Sequence, residues 1–74
     1  MKVKIEQTSK IVEVNGIFAR IWEGETESGI KVHCYITRVA IAKDEKRTEE
    51  FEKELKEIKA PSPEIQAIPL KLII

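Results

Sequence analysis

Residues 10–24 read KIVEVNGIFARIWEG, two runs rich in β-branched and aromatic residues on either side of Asn15-Gly16. Asn-Gly is the preferred central pair of a type I′ hairpin turn, because both positions must take φ > 0. A two-residue turn there sets Val14 opposite Ile17, Glu13 opposite Phe18, Val12 opposite Ala19 and Ile11 opposite Arg20. The next polar stretch, GETESG over 24–29, is bounded by glycines at both ends. Folding it symmetrically pairs Ile21 with Val32, Ala19 with Cys34 and Ile17 with Ile36. It also pairs Arg20 with His33 and Phe18 with Tyr35, and brings Trp22 near Lys31. The two turns sort the side chains alike, which predicts a three-stranded antiparallel meander.

On this register the inner face is Val12, Val14, Ile17, Ala19, Ile21, Val32, Cys34 and Ile36, an aliphatic set suited to lie under a helix. The outer face is Ile11, Glu13, Phe18, Arg20, Trp22, His33, Tyr35 and Thr37, mixed and aromatic. Residues 16–38 hold the only Trp, Tyr, His and Cys of the chain and one of its two Phe. Most of those side chains fall on the outer face. Alternation slips at both ends. Val3 and Ile5 are out of step with Val12 and Val14, so the chain must break, turn or bulge across QTSK (7–10) if both pairs are to point inward. Val39 and Ile41 suggest a second irregularity near Thr37-Arg38.

A helix is expected after this sheet. Thr48 is a suitable N-cap, with Asp44 an alternative; Phe51, Leu55 and Ile58 make an apolar stripe, and Pro61 is the stop. Ser62-Pro63 reads as the opening of a short helical turn ending before Pro69, and LKLII (70–74) as a final strand that must join the sheet or a partner chain. The expectation is one α+β domain over 1–74: a three-stranded antiparallel meander packed by one helix, with a short helical turn and a C-terminal strand. A chain of 74 residues has room for little more.

Composition excludes more than it selects. Thirteen basic and thirteen acidic side chains leave no net charge, so no overall field attracts nucleic acid. One Cys forbids an internal disulfide. MKVKIEQTSK has no signal-peptide core and no apolar run is long enough for a membrane span, which reads as a soluble cytoplasmic protein. His33 and Cys34 are adjacent, so on a strand they point to opposite faces and cannot act together. With no second His or Cys there is no zinc site within one chain, and no phosphate loop or catalytic motif is present. No enzyme activity, cofactor, metal or small-molecule substrate is expected. The regular Glu/Lys pattern of the helix also suits a thermophilic or designed sequence.

What remains is an outer face bearing Phe18, Arg20, Trp22, His33 and Tyr35. Aromatic residues with arginine anchor protein interfaces, because they bury much area at small entropic cost. The expected function is binding through this face, to a second copy in a homodimer or to another protein. The same rings, with Arg20 and Lys31 near phosphates, would serve as a stacking platform for single-stranded nucleic acid. A third reading has the chain's own termini cover the face, leaving a structural domain with no ligand. The run VNGIFARIWEGETESGIKVHCYITRVA (14–40), the acidic helix with Phe51 and APSPEIQAIP (60–69) together resemble small uncharacterised proteins encoded by bacteriophages and prophages. That resemblance implies a host-takeover or host-defence-inhibiting protein that works by binding a host macromolecule.

Overall fold

The computed structural model describes residues 1–63. Strands β1 (Val3–Val14), β2 (Ile17–Thr26) and β3 (Lys31–Ile36) form an antiparallel sheet in the order β1-β2-β3, and helix α1 (Thr48–Leu55) follows. This is an α+β fold. The helical turn expected from Ser62-Pro63 has its opening at the end of the described residues, where Pro63 is helical; the rest of it and the strand expected over 70–74 lie outside the described residues.

The first hairpin forms as its sequence dictates. Asn15 and Gly16 take φ of 50° and 81°, and all four expected pairs, from Val14–Ile17 to Ile11–Arg20, are present. Beyond them β1 neither breaks nor turns. It bulges: Thr8, Ser9 and Lys10 lie between the paired residues Gln7 (opposite Trp22) and Ile11 (opposite Arg20), where β2 has only Ile21. Thr8 holds this bulge from inside. It is fully buried, and its hydroxyl donates to the Ile21 carbonyl at 2.6 Å while accepting from the Lys10 amide at 3.3 Å. The bulge does not bring Val3 and Ile5 to the side of Val12 and Val14. Ile5 lies opposite Gly24, on the Trp22 side of the sheet.

The second hairpin departs from the symmetric reading. The loop contracts to Glu27, Ser28 and Gly29, with Gly29 at φ 89° and the Thr26 amide bonded to the Ile30 carbonyl at 2.9 Å. A three-residue loop whose last residue is left-handed is a common hairpin solution, and it places Gly24 inside β2. The consequence is a register three residues away from the symmetric one: Ile21 faces Tyr35, Trp22 faces Cys34 and Arg20 faces Ile36. Three is odd, so every β3 side chain changes face.

The helix is shorter than its apolar stripe suggests. Thr48 is its first residue and Arg47 occupies the N-cap, with Glu45 accepting from the Arg47 amide at 3.1 Å and from its Nε at 2.9 Å. The helix stops at Leu55, well before Pro61. Its terminal carbonyls would lack partners, and Gln7 supplies one: its side-chain amide donates to the Leu55 carbonyl at 2.6 Å and to that of Glu57 at 3.3 Å. The chain then leaves the helical path to bond with the outer edge of β1. The Ser9 amide donates to the Lys59 carbonyl, and the Lys59 amide to the Gln7 carbonyl. No helical residue is buried, and Phe51 and Leu55 are half-buried, so α1 is a partial cover. Among the described residues the buried apolar core is Ala19 and Ile21. Ile17, expected in it, is 59% exposed, because β3 ends before reaching it.

Candidate protein-interaction surface

The altered register divides the five residues expected to share a face. Facing partners in antiparallel strands point to the same side, and neighbours along a strand to opposite sides. Phe18, Arg20 and Trp22 therefore share one face with Ile11 of β1 and with Val32, Cys34 and Ile36 of β3. His33 and Tyr35 lie on the other face, with Ala19, Ile21 and Glu23. The expected five-residue platform does not form. The cause is the three-residue loop: Gly29 closes the hairpin between Thr26 and Ile30, whereas a symmetric turn would have used the whole of 24–29.

The face that keeps Phe18 and Trp22 gains aliphatic neighbours in place of His33 and Tyr35. Phe18 is 70% exposed and Ile11 52%, while Trp22, Cys34 and Ile36 are half-buried. Arg20 is spent on the fold: its Nη1 donates to the Thr8 carbonyl at 2.8 Å, across the bulge. That bond fixes one of the five guanidinium donors and orients the side chain towards the bulge. Among the described strand residues this face is mainly apolar and aromatic, with Arg20 tied to the bulge, Glu13 exposed opposite Phe18 and Gln7 opposite Trp22.

The opposite face is polar towards the second hairpin. Lys4, Glu25 and Lys31 lie in one row across the three strands, and Glu6, Glu23 and His33 in the next. Glu23 is the hub: Lys59 Nζ lies 3.0 Å from one carboxylate oxygen, and the Ser62 hydroxyl donates to the other at 2.9 Å. Burial alone would raise the Glu23 pKa, but the hydrogen bonds from Lys59 and Ser62 and the Lys59 charge outweigh it and hold the carboxyl below its ordinary value. A carboxyl with a lowered folded-state pKa contributes stability above its unfolded pKa and loses it as pH falls through the folded one. Stability should therefore drop below about pH 4.5 in the native chain. Glu23→Gln should flatten that part of a urea-denaturation pH profile, and an unchanged slope would show that the Lys59 contact carries no such linkage.

A cleft of about 830 Å³ opens at this end of the sheet, bordered by Lys2, Lys4, Glu6, Glu25, Lys31 and His33 among others. Its cations and carboxylates alternate and neutralise one another, so it presents no single charge to a ligand. His33 stacks edge-on against Tyr35, with ring centroids 5.6 Å apart. The Tyr35 hydroxyl is buried with no hydrogen-bond partner among the described residues. Cys34 is a free, half-buried thiol on the far side of the sheet from His33. Among the described residues no cluster of three or more His, Cys, Asp or Glu could hold a metal ion, and no helix is long and apolar enough to cross a membrane.

Three residues that matter here carried little sequence signal as site or scaffold: Gln7, Thr8 and Gly24. The first two fall where the alternation slips, which is the visible clue. Gly24 reads as a turn residue yet lies in mid-strand, where its missing side chain admits the β1 backbone. A Cβ at this position would overlap the Lys4 carbonyl oxygen and come within 2.8 Å of the Ile5 Cα.

No family model matches the chain, and neither a curated protein nor a solved structure matches it. The class defined by the geometry is that of a small α+β domain with a three-stranded antiparallel sheet and one helix.

Proposed function

We propose that this chain is a non-enzymatic, cytoplasmic binding protein that docks through the sheet face carrying Ile11, Phe18 and Trp22 onto an apolar patch of a protein partner. The observation that carries this reading is the 70% exposure of Phe18 beside the half-exposed Ile11, on the same face as Trp22. A domain with so small a buried core gains little from placing a phenylalanine in water, and exposed aromatic side chains are effective interface anchors. His33 and Tyr35 drop out of the proposed surface, and Arg20 serves it as a support for the bulge. The resemblance to phage proteins favours a host protein as the partner.

Single-stranded nucleic acid is the weaker reading, because stacking needs cations near the rings, Lys31 lies on the opposite face, and Arg20 is turned towards the Thr8 carbonyl. The test replaces Phe18 by Ser and by a photo-cross-linking phenylalanine analogue. Phe18→Ser should change unfolding free energy by less than about 0.5 kcal/mol, as for an exposed position. The analogue should cross-link a protein in host extract, and Trp22→Ser should abolish that product. A loss of about 2 kcal/mol or more on Phe18→Ser would make the residue core. Salt-sensitive quenching of Trp22 fluorescence by an oligothymidylate would favour nucleic acid instead. Either result overturns the reading.

A further inference from the structure

The two edges of the sheet are guarded unequally. On β1 the outer edge is bent by the bulge at Thr8–Lys10 and occupied by Lys59, which takes the Ser9 amide and the Gln7 carbonyl. These are the devices by which native sheets block further pairing. On β3 none is present among the described residues: Lys31–Ile36 has no bulge, no proline and a lysine only at its first position. Which of its backbone groups are free follows from the hairpin. The Thr26 amide bonds to the Ile30 carbonyl, and hydrogen-bonded pairs alternate along an antiparallel ladder. Thr26–Ile30, Gly24–Val32 and Trp22–Cys34 are thus the bonded pairs, and the amides and carbonyls of His33 and Tyr35 point away from β2. No hydrogen bond among the described residues reaches them.

We infer that β3 pairs antiparallel with β3 of a second copy of this chain, about a two-fold axis at Cys34, to make a six-stranded sheet. Only an even register keeps each face continuous across the axis, because partners must share a face. The Cys34-centred register does so, setting His33 opposite the second copy's Tyr35 and Tyr35 opposite its His33. Those are the residues with outward amides and carbonyls, so the two pairs close four backbone hydrogen bonds. Cys34 then faces its own copy in a non-hydrogen-bonded pair, Val32 faces Ile36, and both are apolar contacts on the Phe18–Trp22 face. A register one step towards Lys31, centred on His33, closes six such bonds through Lys31, His33 and Tyr35. It sets two imidazoles face to face and Lys31 against Tyr35, however, and makes fewer apolar and aromatic pairs within the strand. It also leaves Cys34 two residues out of step with its copy, a difference that cross-linking distinguishes. In the assembled sheet the apolar faces of both copies run on into one another. This inference stands on backbone geometry and is independent of which partner the face takes.

The single cysteine is the reporter. Non-hydrogen-bonded partners lie about 4.5 Å apart between Cα atoms, within disulfide reach. Light scattering on the reduced full chain should give twice the 8.5 kDa chain mass at the upper end of a concentration series. Diamide, which takes up the two electrons and two protons released by two thiols, should convert that species to a disulfide-linked dimer, and denaturation in urea beforehand should suppress the product. The variant Cys34→Ser/Val32→Cys should remain dimeric but fail to cross-link, since its two thiols would sit four residues out of step, about 13 Å apart. A monomer at every concentration overturns the inference, as does a dimer whose Cys34 does not cross-link. A dimer dissociated by Trp22→Ser yet resistant to diamide would assign self-association to the sheet face, sparing the face reading while refuting the edge.

Discussion

Gly24→Ala is expected to unfold this protein, or to leave it with only a remnant of its cooperative transition. The residue sits within β2, opposite Ile5 on one side and Val32 on the other. Its position is not one that needs a left-handed backbone; it needs the absence of a side chain. An added methyl would overlap the Lys4 carbonyl oxygen and press on the Ile5 Cα, and both are backbone atoms that cannot rotate away as a side-chain tip could. Relief requires β1 to move off β2 along Val3–Gln7, which also disturbs the Gln7 contacts to Leu55 and Glu57. Overpacking of a well-filled interior costs about 1–3 kcal/mol and more where backbone must shift. A domain of this size is stable by about 0.05–0.15 kcal/mol per residue, so a loss of about 3 kcal/mol consumes much of the total. Thermal and urea unfolding followed by circular dichroism would show it; a transition unchanged from that of the parent would mean the strands do not approach as described.

Ile21→Ala should be nearly as severe. Ile21 is fully buried, and with Ala19 it makes up the buried apolar core among the described residues. Its carbonyl also receives the Thr8 hydroxyl, so the side chain and backbone of one residue tie the centre of β2 to the β1 bulge. Truncating a buried isoleucine costs about 2–5 kcal/mol, the larger values arising where neighbours cannot collapse into the space. The bulge is fixed by the Thr8 and Arg20 bonds, which resist such collapse, so about 3–4 kcal/mol is expected. The same denaturation experiments read it, and a loss as small as that of an exposed position would remove Ile21 from the core. The contrast with Phe18→Ser is the informative part. The larger side chain should be almost silent in stability and the smaller one nearly lethal, because exposure differs and size does not decide.

Much of this architecture is legible in the sequence. Asn15-Gly16 specifies a turn whose φ requirements few other pairs satisfy, and from it four cross-strand pairs follow correctly. The slip of alternation at QTSK falls where the bulge lies but implies the wrong kind: one extra residue would have brought Val3 and Ile5 to the side of Val12 and Val14, whereas the two extra residues present keep them on the opposite face. The second turn is not legible. GETESG has glycine at both ends, and the two serve different physical ends: Gly29 supplies a left-handed residue, Gly24 supplies room for β1. Symmetric folding treats them alike and shifts β3 by three residues, which is enough to move His33 and Tyr35 to the wrong face. The end of the helix is hidden for another reason. Periodicity carries Phe51, Leu55 and Ile58 on one stripe, but Gln7, far away in sequence, captures the Leu55 carbonyl and Lys59 is drawn to the β1 edge.

The proposed surface depends on which face β3 gives to each side chain, and that is open to a single measurement. In antiparallel sheets the non-hydrogen-bonded pairs bring their α-protons close enough for strong nuclear Overhauser contacts. Here those pairs are Ile21–Tyr35, Glu23–His33 and Glu25–Lys31. A two-dimensional spectrum of the native chain should show α-proton cross-peaks for all three, placing Tyr35 and His33 on the Ile21 side and leaving Phe18 and Trp22 on an apolar face with Cys34 and Ile36. Cross-strand contacts joining Ile21 to Val32 and Phe18 to Tyr35 would instead establish the symmetric turn, reunite the aromatic side chains on one face, and contradict the account.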